Sequence, residues 1–365
     1  MSADDEVRSL VIDGGSGWMK AGFSGDHAPH CCFSTLVARL RHRALITSNS
    51  LVDCFLAEEA PKQEEQFFNI THPVQGGMVV NWDDMEKLWH YIFYTQLKVA
   101  PEEHPVFLTQ SALTPKANKE KTTQIMFETF NTPAMYVADQ AEMTLCGAGR
   151  VSGVALECGH DVTCAVPVFE GYVMPHAVQK SRVAGDAVTK YLNRLMKEKG
   201  VELGLDIIMD IKEKTSFVRE NMSGDVEKTV AYELPDGSTI RIGLERSDCV
   251  EVLFNPELEG LECDGIHTVL KASIEKCDTE IQKTIVENIV FSGGSSLLEG
   301  LNKRIEKELS MEFINPKTIC LLERNYLSWI GGSITTSMSS FTSKWISKEE
   351  YDESGVFVCR RRSCW

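Results

Sequence analysis

Two short stretches of the chain carry residue types at spacings that suit phosphate chemistry. The first, "SLVIDGGSGWMKAGFSG" (residues 9–25), runs an apolar strand into Asp13, then through Gly14, Gly15, Ser16 and Gly17 into a second strand. The second, "GVALECGHDVTCAVPVFEG" (residues 153–171), has the same outline: strand, Glu157, Cys158, Gly159, turn, strand, closing glycine. An acid at a strand end, one residue and then a glycine is how several nucleotide-binding folds present backbone N–H groups to a polyphosphate. The second stretch departs from that outline, because His160 follows the glycine and Asp161 stands where another glycine is expected. A third stretch, "NIVFSGGSSLLEGLNKRIEKEL" (residues 288–309), reads as a β-branched strand, a glycine turn and a helix. A glycine turn at a helix N-terminus can receive a nucleotide on its N–H groups.

The elements that position these turns follow from periodicity. The two hairpins lie roughly 145 residues apart, which suggests a duplicated α/β unit with one hairpin from each half facing a shared cleft. In "NWDDMEKLWHYIFYTQL", Met85, Leu88, Trp89, Ile92 and Phe93 recur at helical spacing, with Asp83 and Asp84 in the first turn. "TPKANKEKTTQIMFETF" predicts a helix with Thr114 as N-cap and Pro115 at the first helical position. "YELPDGSTIRIG" predicts two short strands joined through Pro235, Asp236 and Gly237.

Composition bounds the class. The chain has 365 residues, 43% hydrophobic and 25% charged, with a net charge of −16. That mixture buries a sizeable core. The acidity argues against a nucleic-acid binder and against a polybasic membrane anchor. The start, MSADDE, is acidic and predicts no signal peptide, and no apolar run reaches the length of a membrane span. The twelve cysteines are scattered without a CxxC pair, which predicts reduced thiols in the cytosol or nucleus. Cys158, His160 and Cys164 lack a second ligand pair at zinc-finger spacing.

Segment after segment then matches one family. "DGGSGWMKAGFSGDHAP", "VNWDDMEKLWHYIFY", "IMFETFNTPAMYVADQA", "VPVFEGYVMPHA", "YELPDGSTIRIG", "SGGSSLLEGL" and "WIGGSI" resemble actin, from about Leu10 to the end of the chain. The departures from conventional actin identify it as similar to a divergent actin-related protein. The resemblance implies an α/β fold of two duplicated lobes around a nucleotide cleft, shared with heat-shock chaperone ATPases and sugar kinases. It divides the chain into four subdomains. Residues 1–35, 73–147 and 327–365 form the large outer one, and 36–72 the small outer one. Residues 148–183 with 262–326 form the large inner one, and 184–261 the small inner one.

Carried over position by position, the resemblance implies ATP or ADP with magnesium as the ligand. Asp13 holds the cation through water, Gly15, Ser16, Gly17 and Lys20 meet the phosphates, and Gln140 places the attacking water. Gly159 and Val162 belong to the second hairpin, Gly185, Lys212 and Glu213 to the purine and ribose contacts, and Gly293, Gly294, Ser295 and Leu297 to the loop beneath. Several family residues are replaced: Gly14 stands for an asparagine, Asp139 for an apolar residue, Met209 for an arginine and Asn325 for a lysine. The second hairpin departs most. The family pattern acid–Ser–Gly–acid–Gly reads Glu157–Cys158–Gly159–His160–Asp161. Glu157 is one methylene too long, Cys158 is a weak donor, and His160 removes the acid that orients the lytic water. Asp161 replaces a glycine expected to turn with positive φ. Its charge, about 4 Å from a phosphate oxygen, repels by roughly 4 kcal/mol at an effective dielectric near 20.

These residues predict a structural protein that acts through protein–protein assembly, with a degenerate ATP cleft. The alternative is a slowly hydrolysing actin that forms or joins filaments. Residues 41–56 stand in place of the family's mobile docking loop, and "ELEGLECDGI" (257–266) puts Glu257, Glu259, Glu262 and Asp264 where the family has an apolar plug. A buried unpaired carboxylate costs several kcal/mol, so self-polymerisation is not expected. The groove that receives partner helices in the family maps onto Cys146, Gly147, Gly149, Tyr172, Thr335, Met338 and Lys344. Conventional actin or a multi-subunit cytoskeletal complex is the expected partner, and the expected location is the cytoplasm, with a nuclear role left open.

Overall fold

The computed structural model describes residues 7–41, 54–61, 67–220 and 229–362. Residues 42–53 of the segment in place of the docking loop lie outside this description. The chain forms two compact units, Met1–Gly149 with Tyr326–Trp365, and Arg150–Asn325.

Unit 1 begins with β1 (Leu10–Gly14), β2 (Trp18–Phe23), β3 (Cys31–Ser34), β4 (Val37–Leu40), β5 (Cys54–Leu56) and β6 (Phe68–Thr71). It continues with β7 (Val74–Gln75), β8 (Met78–Val79), β9 (Val106–Gln110), β10 (Ala134–Asp139) and a last strand, Ile346–Ser347. The main sheet runs in the order last strand, β10, β9, β1, β2, β3, while β4 sits between β5 and β6 in a small sheet of its own. β1 is central and buried on both faces. Leu10 and Ile12 pack with Met19, Leu88 and Trp89, and Val11 packs on the other side with Phe107 and Trp329. Helix α1 (Trp82–His90) is N-capped by the Asn81 side chain and runs on through a wider turn, Tyr91–Leu97, that Lys98 ends in a left-handed conformation. Met85, Leu88, Trp89, Ile92 and Phe93 are all buried, as their spacing predicts.

Unit 2 contains β11 (Gly153–Cys158), β12 (Thr163–Phe169), β13 (Tyr172–Val173), β14 (Gln179–Ser181), β15 (Val230–Glu233), β16 (Thr239–Ile242), β17 (Ile289–Ser292) and β18 (Thr318–Ile319). Its sheet runs β13, β12, β11, β17, β18, with β14 also on β12. The duplication is visible in the pairing. β1 is antiparallel to β2 and parallel to β9, and β11 is antiparallel to β12 and parallel to β17. The core beneath β11 gathers Val154, Leu156, Val188, Leu192, Ile289 and Phe291. β15 and β16 pair across the turn expected at Pro235–Gly237.

Two local expectations are corrected. Helix α2 (Lys116–Glu128) starts after Pro115, whose carbonyl accepts from the Asn118 N–H, while the Thr114 hydroxyl donates to the Ser111 carbonyl and accepts from no N–H of the helix. After β17 the glycine turn does not open a long helix. It forms a single tight turn, Gly294–Leu297, and the helix begins at Leu301, after Gly300 has taken a left-handed φ of 83°. The helix N-terminus is therefore not at the SGG turn.

Candidate functional site

The first hairpin is built around one carboxylate. Asp13 is 3% exposed and faces Lys20 across the β1–β2 ladder. Lys20 Nζ donates to Oδ2 at 2.9 Å. Oδ1 accepts from Thr109 Oγ1 at 2.5 Å, Gln140 Nε2 at 2.9 Å and Ser328 Oγ at 3.3 Å. Burial pushes this carboxyl up, but the Lys20 charge and the bonds from Thr109 and Gln140 outweigh it, so the group lies below the usual carboxylate range. Gln140 reaches it from the first position of α3 (Gln140–Gly147).

The turn above Asp13 is fastened by its carbonyls. Thr35 Oγ1 donates to Gly15 O at 2.8 Å, the Thr35 N–H to Gly17 O at 2.9 Å, and His72 Nδ1 to Ser16 O at 2.9 Å. Committing these carbonyls turns the other side of the loop toward an anion, although the Gly15 N–H is itself taken by Trp18 O at 3.1 Å. Thr35, His72, Thr109 and Ser328 were not found from the sequence. Thr109, next to last in β9, is the direct strand partner of Asp13, which no sequence pattern announced.

The second hairpin keeps the register and changes the chemistry. Glu157 faces Cys164 where Asp13 faces Lys20, and Cys164 in turn faces Lys180 of β14. Cys158 is 1% exposed within the core, and burial pushes its thiol up to about 12. The turn is clasped from behind: Gly159 O accepts from the Gly185 N–H at 3.2 Å and Ser295 Oγ at 2.7 Å, and His160 O accepts from the Asp186 N–H at 2.6 Å. The first N–H groups of α4 (Gly185–Glu198) are thereby used inside unit 2. Val162 closes the turn by accepting from the Gly159 N–H at 3.1 Å.

Asp161 does not need glycine's conformational freedom. The non-glycine residues with positive φ among those described are Ala57, Lys98, Leu113, Asn131, Glu170 and Asn315. The strain expected at Asp161 is absent, and what the substitution changes is charge and bulk.

The remaining candidates divide by exposure. Lys212 lies in α5 (Leu205–Thr215), 9% exposed, with Nζ 3.0 Å from Thr189 Oγ1 and 3.3 Å from Gly185 O. Burial lowers its pKa. It braces the start of α4, while its neighbour Glu213 is exposed. Gly293 has a φ of 86°, and a Cβ there would stand 2.3 Å from Cys158 O; Gly294 has open space around it, and Leu297 is exposed.

Of the groove residues in unit 1, Met338 and Lys344 are exposed and Cys146 Sγ lies 3.5 Å from Thr335 Oγ1. A Cβ on Gly147 would stand 2.6 Å from Leu327 O, so that glycine serves the packing of α3 against the helix Leu327–Ser337. Gly149 is exposed with a φ of 66°, and in unit 2 Tyr172 is 62% exposed.

Against a magnesium nucleotide the two hairpins fit differently. The first offers a lysine, a small-residue turn and an ionised carboxylate. The second, over residues 153–169, offers Glu157, Asp161 and His160 and no Lys or Arg.

A duplicated α/β sheet with an acid-and-glycine hairpin at the same place in each copy defines a class of proteins, the actin-like folds. The actin family model matches residues 4–205 and 204–364, and the chain belongs to the actin family.

Proposed function

We propose that this chain is a structural member of the actin family that works by binding other proteins in a cytoskeletal assembly, with ATP or ADP binding weakened at its second hairpin. The observation that carries this reading is the shared register of the hairpins. Gly-Ser-Gly-Trp in the first stands where Gly-His-Asp-Val stands in the second, and the Asp13–Lys20 pair stands where Glu157–Cys164 stands. A phosphate approaching the second turn meets two carboxylates with no compensating cation from that hairpin. Repulsion of roughly 4 kcal/mol corresponds to about three decades of affinity.

The acidic loop supports the assembly reading. Glu257, Glu262 and Asp264 are exposed, Glu259 pairs with Arg194 at 3.4 Å, and Leu258, Leu261 and Cys263 pack inward against the core. A loop folded down with its apolar residues inside offers no apolar plug. The second reading, a slow ATPase that joins filaments, is favoured by the Asp13–Gln140 bond of the first hairpin.

Nucleotide content separates the two. The purified chain, extracted and quantified, is expected to carry well under one ATP or ADP per molecule. Because charge and bulk rather than backbone strain distinguish position 161, Asp161→Asn should strengthen Mg–ATP binding about tenfold or more, and Asp161→Gly, which also removes the bulk, at least as much. Adding His160→Asp tests whether hydrolysis returns. Stoichiometric nucleotide with brisk turnover in the unaltered chain would overturn the proposal.

A further inference from the structure

Unit 1 holds a cavity of about 50 Å³ lined by Ile12, Gly14, Trp89 and Leu108, with Thr114, Asn118 and Thr122 at a half-buried rim. Ile12 and Gly14 alternate with Asp13 along β1, so the cavity lies against the face of the strand opposite the carboxylate. Trp89 is 1% exposed, yet its Nε1–H meets no hydrogen-bond acceptor. Such an orphaned donor is rare in folded proteins. A buried water needs about two to four polar partners, and three of the five polar side chains of the lining are committed elsewhere, Thr109 to Asp13 among them. The Thr114 hydroxyl donates to Ser111 O at 2.5 Å and the Asn118 amide to Val79 O at 2.9 Å.

We propose that this cavity is a binding site for a small neutral molecule that is apolar except for one hydrogen-bond acceptor, which takes the Trp89 Nε1–H. The volume is about a third of the roughly 150 Å³ of an apolar cavity that takes benzene. It admits only the carbonyl end of a molecule whose remainder crosses the rim. The occupant lies beside Gly14, Met19 and Met85 and so against the back of the first hairpin. The site stands independently of nucleotide binding.

Titration of the ¹⁵N-labelled full chain tests this. The chain has six tryptophans, and the indole resonance lost in Trp89→Phe identifies Trp89. The probes are 2-butanone and its hydrocarbon isostere 2-methyl-1-butene. Butanone should move the Trp89 resonance downfield, saturably and alone, and the alkene should give no such downfield shift. A Cβ at Gly14 meets nothing closer than 3.5 Å, so Gly14→Val places its methyls in the cavity and should weaken butanone binding about tenfold. Thr122→Leu at the rim serves the same purpose should the valine variant fail to fold. No saturable shift, equal shifts of several indoles, or unchanged binding in both filled variants would overturn the proposal.

Discussion

Asp13 and Glu157 end corresponding strands, but only Asp13 has a lysine opposite it. The hairpin outlines were legible because glycine and acid spacing is a local signal. Of the partners of Asp13, Gln140 was named through the family resemblance, whereas Thr109 and Ser328 were not, since they arrive from other elements far along the chain. The energetic consequence is testable. Lys20 has 13% side-chain exposure and rests on this one carboxylate. Asp13→Asn leaves it with a neutral partner and should destabilise unit 1 by about 2–4 kcal/mol, short of the cost of stranding a fully buried charge. The folded pKa of Asp13 is lowered, so its stabilising contribution is complete above the unfolded carboxylate value of 3.8 and fades as pH falls through the lower folded value. Urea unfolding between neutral and strongly acidic pH should therefore show a shallower acid-side loss in Asp13→Asn than in the unaltered chain. Parallel curves would mean that Asp13 is not coupled to folding.

At the scale of elements, the small sheet β5–β4–β6 is tied to α1 by a buried charge. Asp84, with 1% side-chain exposure, pairs with Arg39 of β4 and accepts from Asn81 Nδ2 at 2.6 Å and Thr71 Oγ1 at 3.4 Å. Its place in the first turn of α1 adds a favourable interaction with the helix dipole. That placement was legible from the sequence, whereas the link to Arg39 was not, because no periodicity connects a strand residue to a helix start 45 positions later. The two corrected helix starts have the same origin: Thr114 and the SGG turn found closer hydrogen-bond partners than the helix N-termini expected for them. Asp84→Ala should cost about 1–3 kcal/mol, below the range for a sealed ion pair because Arg39 retains access to water. Hydrogen exchange would locate the effect, with amides of β4 and β6 exchanging faster and those of β1 and β9 unchanged. Uniform acceleration across unit 1 would count against a local tie.

For the whole molecule, the duplicated sheet and the family were legible because the resemblance spans nearly the whole chain, while the burial that sorts each replaced residue was visible only in the fold. The net charge of −16 and the outward-facing Glu257, Glu262 and Asp264 bear on assembly together. Copies of one strongly acidic chain repel at low salt, and screening over roughly 10 Å at 0.1 M relieves this without supplying an apolar plug. The chain alone should therefore stay in the supernatant of a pelleting assay from low to physiological salt, under magnesium conditions that pellet conventional actin. A partner with a basic surface reverses the sign of the long-range term: attraction is strongest at low salt, and the complex should weaken as salt rises. Co-pelleting with conventional actin or another cytoskeletal subunit, measured across the same salt series, reads both effects. Glu257→Gln with Glu262→Gln and Asp264→Asn should leave self-pelleting absent, because Leu258 and Leu261 remain packed inward. Self-pelleting of the unaltered chain in step with added ATP would instead assign it to the filament-forming reading.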